Sequence, residues 1–208
     1  MNTLDIKLLV TIKTSPKHKG RQDAIKETWA QDFEDHGAQV LFTISDPRTT
    51  CPTLDENFLR LPGEDSHKGL VNRMIWLMEY LQDKEFTHLV TIDDDCSVNV
   101  AEFMKLPWKT AEMYGHNNGG YLAGCCTVWS KEATVKFKRW GSLEDVCVGQ
   151  MAKWFNIQFT SSKNNSIRPW TNNDKDYRLT ENVAVQHYSR TPEQIRENHK
   201  IVLTLKEE

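Results

Sequence analysis

Three short runs rich in apolar and β-branched residues, "IKLLVTIKT" (Ile6–Thr14), "QVLFTIS" (Gln39–Ser45) and "HLVTI" (His88–Ile92), are separated by stretches whose apolar residues recur at helical spacing. Each run is too short for a helix and reads as a buried strand. Between them, Arg21–Ala30 sets Ile25 and Trp29 one turn apart, which makes Trp29 a core residue. Gly69–Leu81 lines Leu70, Met74, Leu77, Met78 and Leu81 along one face, with Ser66 or Asp65 available as the cap. Strand and helix in alternation predict an α/β fold, a mostly parallel sheet flanked by helices, whose ligand sites collect at the carboxyl ends of the strands.

Further along, "GGYLAGCCTVWS" (Gly119–Ser130) reads as a strand whose glycines allow close approach, followed by a helix capped by Ser130. "GSLEDVCVGQMAKWF" (Gly141–Phe155) reads as a helix with Val148, Met151 or Ala152, and Phe155 facing inward. Thr160–Tyr177 is polar and irregular, the kind of segment that serves as a functional lid or stays disordered. In "TPEQIRENHK" Thr191 caps a closing helix, Pro192 takes its first position and Gln194 completes a capping box. That helix identifies no chemistry.

With 208 residues, one compact domain is the expectation. Lys and Arg total 26 against 29 Asp and Glu, so no basic field is available for a nucleic-acid backbone, and any phosphate site must be local. Mean hydropathy is −0.61 and no apolar run approaches the length of a membrane span. The first residues, "MNTLDIKLLVTIKTS", carry Asp5 and Lys7 with no small-residue cleavage site, and so lead into a strand instead of a signal peptide. Five cysteines leave one unpaired in any full disulfide scheme and show no C-x-x-C spacing. A reducing, cytoplasmic location is expected, although a domain excised from a longer secreted protein would look the same.

The third strand runs straight into chemistry: "THLVTIDDDCSVN" ends it with Asp93, Asp94 and Asp95. Aspartate favours turns and helix starts, so a harmless surface turn is the competing explanation. Three adjacent carboxylates at a partly buried strand end repel one another unless a cation compensates. Oxygen ligands suit a hard divalent ion such as Mn2+ or Mg2+. Alternation along an extended chain points Asp93 and Asp95 to one side, for a ligand, and Asp94 to the other, where it orients the turn or faces a backbone amide. Thr11 and Lys13 finish the first strand and Asp46 ends the second, at the same edge of the sheet.

In order along the chain, "GRQDAIKETW" (Gly20–Trp29), "TIDDDCSVN" (Thr91–Asn99) and "LEDVCVG" (Leu143–Gly149) resemble the three signature blocks of the β-1,3-galactosyltransferase and Fringe-like glycosyltransferases. "SHKGLVNRMIWLMEYL" (Ser66–Leu81) is similar to that family's lysine-led helix, and "GGYLAGCCTVWS" to its glycine-rich strand. The resemblance runs from about Leu8 to His187. There are departures. Lys26 stands in place of a second arginine, Cys96 and Ser97 replace a hydrophobic and aromatic pair, and Cys147 takes a tyrosine or phenylalanine position; the Golgi members' anchor and stem have no counterpart here. The short form is also similar to glycosyltransferase domains encoded by large DNA viruses of algae.

The resemblance implies a GT-A fold and a metal-dependent, inverting transfer of a hexose from a nucleotide diphosphate sugar, first of all a UDP-sugar, to a hydroxyl of a glycan or glycoprotein. It implies Mn2+ or Mg2+ held by Asp95, with Asp93 on the metal or ribose and His187 in "VAVQHYS" closing the site, and Arg21 and Lys68 near the donor diphosphate. Asp145 is the implied general base, with Glu144 second, although Ser142, Glu144 and Asp145 together also make a good helix start. Trp170 is a candidate for stacking on a sugar ring. Residues 1–100 would form the nucleotide-binding half, 101–190 the acceptor-side half, and 191–208 the closing helix and tail of a monomer or of one domain in a longer chain. Two other classes compete: a Mg2+-dependent phosphohydrolase or nucleotidyltransferase using the same aspartates, and a non-catalytic carbohydrate-binding domain of the same fold.

Overall fold

A computed structural model describes residues 7–136, 144–162, 166–169 and 177–205. In chain order the elements are β1 (Leu8–Lys13), α1 (Lys19–Lys26), α2 (Trp29–Asp35), β2 (Gln39–Asp46), β3 (Thr53–Asp55), β4 (Phe58–Pro62), α3 (Leu70–Leu81), β5 (His88–Asp93) and β6 (Cys96–Val98). There follow α4 (Val100–Lys105), β7 (Met113–Asn117), β8 (Leu122–Ser130), α5 (Lys131–Val135), α6 (Glu144–Trp154), β9 (Phe159–Ser161), β10 (Ile167–Arg168), β11 (Val185–His187) and α7 (Pro192–Leu205). An eight-stranded sheet runs in the order β3-β4-β2-β1-β5-β8-β7-β9, and a small second sheet runs β10-β11-β6. The three strands read from the sequence lie side by side at its centre, β1 pairing in parallel with both β2 and β5.

The sheet is covered on both faces, which explains why its central strands are buried on both and mostly apolar. Val10, Ile12, Val40, Phe42, Val90 and Ile92 share one face with Ile25, Trp29 and Phe33 of α1 and α2, and with Phe103 and Trp108. Leu9, Leu41 and Leu89, the alternate positions, pack on the other face against Met74, Leu77, Met78 and Leu81 of α3 and Val148 and Ala152 of α6. Trp29 is core, as its spacing predicts.

Several local expectations hold to the atom. The Ser130 side chain accepts from the Ala133 amide at the start of α5. Thr191 and Gln194 exchange side-chain and backbone hydrogen bonds of 3.1 and 3.3 Å, the reciprocal capping box of α7. Ser66 caps a 3-10 turn (His67–Gly69) that leads into α3, accepting from the Gly69 amide.

Thr160–Tyr177, read as irregular, carries the end of β9 and all of β10 among its described residues, and two further features differ from the sequence reading. The single helix expected over Arg21–Ala30 is two, because Thr28 leaves helical geometry (φ −130°, ψ −120°) and its hydroxyl bonds back to the Ala24 carbonyl at 2.6 Å. The sheet also has an extra parallel strand, β4, in a region with no sequence assignment; Leu59 and Leu61 are its buried alternate positions, and Pro62 ends it. Cys51, Cys96, Cys125 and Cys126 are free thiols. Among the described residues no helix is long and apolar enough to cross a membrane.

Candidate active site

Parallel pairing of β1 with β5 sets Lys13 beside Asp93 in register, so the carboxyl tips of both strands open at one edge. After β1 the chain turns through Thr14 and Ser15 into a short 3-10 turn (Pro16–His18) and then α1; after β5 it turns through Asp94 and Asp95 into β6. His187 arrives from the small sheet, where β11 pairs antiparallel with β6 and sets His187 opposite Cys96. A cavity of about 500 Å³ lies where these pieces meet, lined by the three aspartates, Lys13, Arg21 and His187 among others.

The aspartates divide as strand alternation requires. Asp94 turns toward α1: Arg21 Nη1 is 2.9 Å from its Oδ1, His18 Nδ1 is 2.8 Å from its Oδ2, and the Thr14 hydroxyl donates to the same oxygen. Burial pushes the Asp94 carboxyl above the usual carboxylate range, against the pull of Thr14, Arg21 and His18. Asp93 and Asp95 face His187 instead, whose Nε2 is 3.0 Å from Asp95 Oδ1 and 4.0 Å from Asp93 Oδ2. Its Nδ1 lies 2.9 Å from the Pro169 carbonyl, which fixes a proton there and aims Nε2 at the carboxylates. Burial alone would lower the His187 imidazole; the hydrogen bond and charge of Asp95 outweigh it and push the group up to about 9. Burial likewise acts to raise Asp95, but His187, with help from Arg21, holds it below the usual range.

Lys13 is almost wholly enclosed, its side chain 6% exposed, and its ammonium sits 3.1 Å from Asp93 Oδ1 while donating to the Gly124 carbonyl at 2.7 Å. A second charged group forms the far wall. Arg73, buried in α3, donates to Asp65 at 3.0 Å, to the Thr14 carbonyl at 2.8 Å and to Ser45 Oγ at 2.9 Å, and the Ser15 hydroxyl donates to Asp65. These bonds lock the loop after β1 to α3.

Lys13, Arg21, Asp93, Asp94, Asp95 and His187 are thus brought together. Three other candidates stand apart from the cavity. Thr11 is buried in mid-strand with its hydroxyl on the Val90 carbonyl at 3.2 Å, because β1 continues beyond it. Asp46 is taken up by Arg48 at 3.1 Å and Arg60 at 3.7 Å. Lys68 is exposed on the 3-10 turn before α3 and does not line the cavity, whereas its neighbours His67 and Leu70 do. Glu144 and Asp145 open α6, but their side chains, like Trp170, lie outside the described residues. Sequence reasoning missed His18, Asp65 and Arg73. A polar Thr-Ser-Pro-Lys-His loop directly after a buried strand, and an arginine inside the apolar stripe of α3, were the available signals.

No protein-family model and no curated protein matches the chain. Solved structures do. A glycosyltransferase involved in the glycosylation of the major capsid of PBCV-1 superposes with a TM-score of 0.56 at 10% identity, over 92% of this chain and 98% of that one. The glycosyltransferase GlyE of Streptococcus pneumoniae TIGR4 does so with a TM-score of 0.50 at 9% identity, over 97% of this chain and 63% of that one. The class so defined is one of fold: a mixed α/β, GT-A-type glycosyltransferase fold, with the aspartate turn at the carboxyl edge of its central strands.

Proposed function

We propose that the protein is a metal-dependent, inverting glycosyltransferase that moves a hexose from a nucleotide diphosphate sugar, a UDP-sugar first of all, to a carbohydrate hydroxyl of a glycan or glycoprotein. The observation that carries this is His187 set 3.0 Å from Asp95 and 4.0 Å from Asp93 at the carboxyl edge of a glycosyltransferase fold. Two carboxylates and an imidazole whose far nitrogen is engaged by the Pro169 carbonyl fit a divalent ion such as Mn2+.

Asp95, Asp93 and His187 would hold the ion, which when bound supplies Lewis acidity to the diphosphate oxygens of the donor. The rest falls to the chain itself. Lys13 neutralises Asp93 from behind and fixes its rotamer; Arg21 and His18 hold Asp94 and so set the turn that presents its two neighbours. Four lysines and arginines together face four aspartates around the cavity, with the His187 imidazolium in addition until an ion displaces its proton. On the acceptor side, Asp145 takes the proton from the attacking hydroxyl, Glu144 being the alternative, both from the first turn of α6. Residues 1–100 serve the donor and 101–190 the acceptor.

A two-metal phosphohydrolase would need a second acidic cluster. Among the described residues no second group stands beside the one at the aspartate turn, where Asp95, Cys96 and His187 gather their ligand atoms and Asp93 adjoins them 4.0 Å from His187. Isothermal titration tests the proposal: UDP binds in the presence of Mn2+, and Asp95→Ala abolishes that binding while the protein stays folded. Metal-independent UDP binding, or none at all in the wild type, refutes it; release of inorganic phosphate from a nucleotide favours the hydrolase.

A further inference from the structure

The closing helix α7 stands outside the cavity, yet its buried face reaches the aspartate turn. Asn198 is fully buried, and its amide is spent on β6 and on the segments either side of β11. Nδ2 lies 3.0 Å from Ser97 Oγ, 3.1 Å from Ser189 Oγ and 2.8 Å from the Tyr177 carbonyl, while Oδ1 accepts from the Leu179 amide at 2.8 Å. Ser97 and Ser189, both buried, bond to each other at 2.7 Å. Ser97 belongs to β6, just past Asp95; Ser189 follows His187, and its amide donates to the Asp95 carbonyl at 2.7 Å.

Between His187 and Ser189 the backbone passes through Tyr188 at φ +72°, a left-handed conformation that a bulky aromatic residue adopts only when its surroundings impose it. Here the ring of Tyr188 stacks on His187 with centroids 4.2 Å apart, and Arg190 lies 4.7 Å from its face. Without an anchor at Ser189 the corner relaxes, and the imidazole moves with it.

The geometry points to Asn198 as a positioning residue for the candidate metal site: through Ser97 and Ser189 it pins the strained corner that keeps His187 Nε2 facing Asp95 and Asp93. The effect on metal affinity rests on the proposed function; the effect on the placement of His187 does not.

The test compares Asn198→Ala with Ile195→Ala, a truncation at a buried apolar position on the same helix that serves as the control for lost stability. In metal-free protein carrying 15N-labelled histidine, the His187 N–H bonded to Asp95 gives a protected imidazole signal, assigned by its loss in His187→Gln. That signal disappears in Asn198→Ala and persists in Ile195→Ala. Mn2+ binding, followed by electron paramagnetic resonance of the free ion, weakens about tenfold or more in Asn198→Ala and stays put in the control. A folded Asn198→Ala protein with an intact His187 signal and wild-type Mn2+ affinity overturns the inference, as does equal loss in both variants. Should Asn198→Ala not fold, Ser189→Ala, which deletes one hydroxyl, takes its place with the same readouts. A wild type that shows the signal and takes up no Mn2+ sinks the metal centre, and the His187 signal alone then decides the role of Asn198.

Discussion

Replacing Gly149 by alanine probes how α6 is seated. A Cβ on Gly149 would lie 2.5 Å from the Tyr121 Cβ, 3.2 Å from the Tyr121 Cα and 3.1 Å from the Gly120 carbonyl oxygen. Carbons rest at about 3.5–4.0 Å, so roughly 1 Å of separation must open, and the obstacles are backbone and Cβ atoms that no rotamer change removes. Overpacking of this kind costs about 1–3 kcal/mol, from which the better helix propensity of alanine returns up to about 1 kcal/mol. With the full return subtracted from the middle of that range, the net loss is about 1 kcal/mol, which lowers Tm by roughly 2–4 °C in a chain of this size. Because α6 begins at Glu144, a shift of the helix also moves the proposed base, and a 1 Å misplacement costs on the order of a hundredfold in rate. Calorimetry, UDP titration with Mn2+ and a nucleotide-release assay read the three consequences: lower Tm, unchanged donor binding and reduced turnover. Tyr121→Gly in the same protein restores part of the stability, since it removes the closest of the three contacts. A Tm at or above wild type refutes the packing argument, and full turnover in a destabilised variant refutes the link between α6 and catalysis.

Other substitutions test the electrostatics. Lys13→Met removes the buried ammonium beside Asp93, so Mn2+ affinity rises severalfold while UDP affinity falls; paramagnetic resonance and calorimetry measure the two, and a weakened Mn2+ affinity contradicts the assigned charge balance. His88, packed edge-on to Trp108 with centroids 5.2 Å apart, is held by burial below its ordinary value of 6.5. The unfolded chain then binds the proton more readily than the folded one, and stability falls as pH drops below about 6.5. His88→Gln flattens the dependence of Tm on pH between about 7 and 5; an unaltered slope shows that other groups carry it.

Legibility followed the range of the forces involved. Strands β1, β2 and β5 and helix α3 could be read because burial on both sheet faces, or on one helix stripe, writes a period into adjacent residues. The capping box at Thr191 and the cap at Ser130 could be read for the same reason, being local hydrogen bonds. The break at Thr28 was not legible, since a threonine that bonds back to Ala24 looks in sequence like any helical threonine. Nor was β4, a five-residue strand whose fully buried leucines, Leu59 and Leu61, flank Arg60 and stop at a proline. In the site, Asp93 to Asp95 announced themselves by crowding like charges, whereas His18, Asp65 and Arg73 depend on loops that meet only after the sheet assembles. Asp46 has the right strand end and the wrong surroundings: Arg48, just beyond it, satisfies the carboxylate locally.

Asp93 closes a strand of the large sheet, while His187 closes a strand of the small one, and their polar atoms stop 4.0 Å apart. An ion shared by the two would rivet early-synthesised chain to late-synthesised chain. On the proposed function, metal uptake would then double as a report of completed assembly: a nascent polypeptide that has finished its central strands but not yet delivered residue 187 owns the acidic turn without the imidazole that faces it.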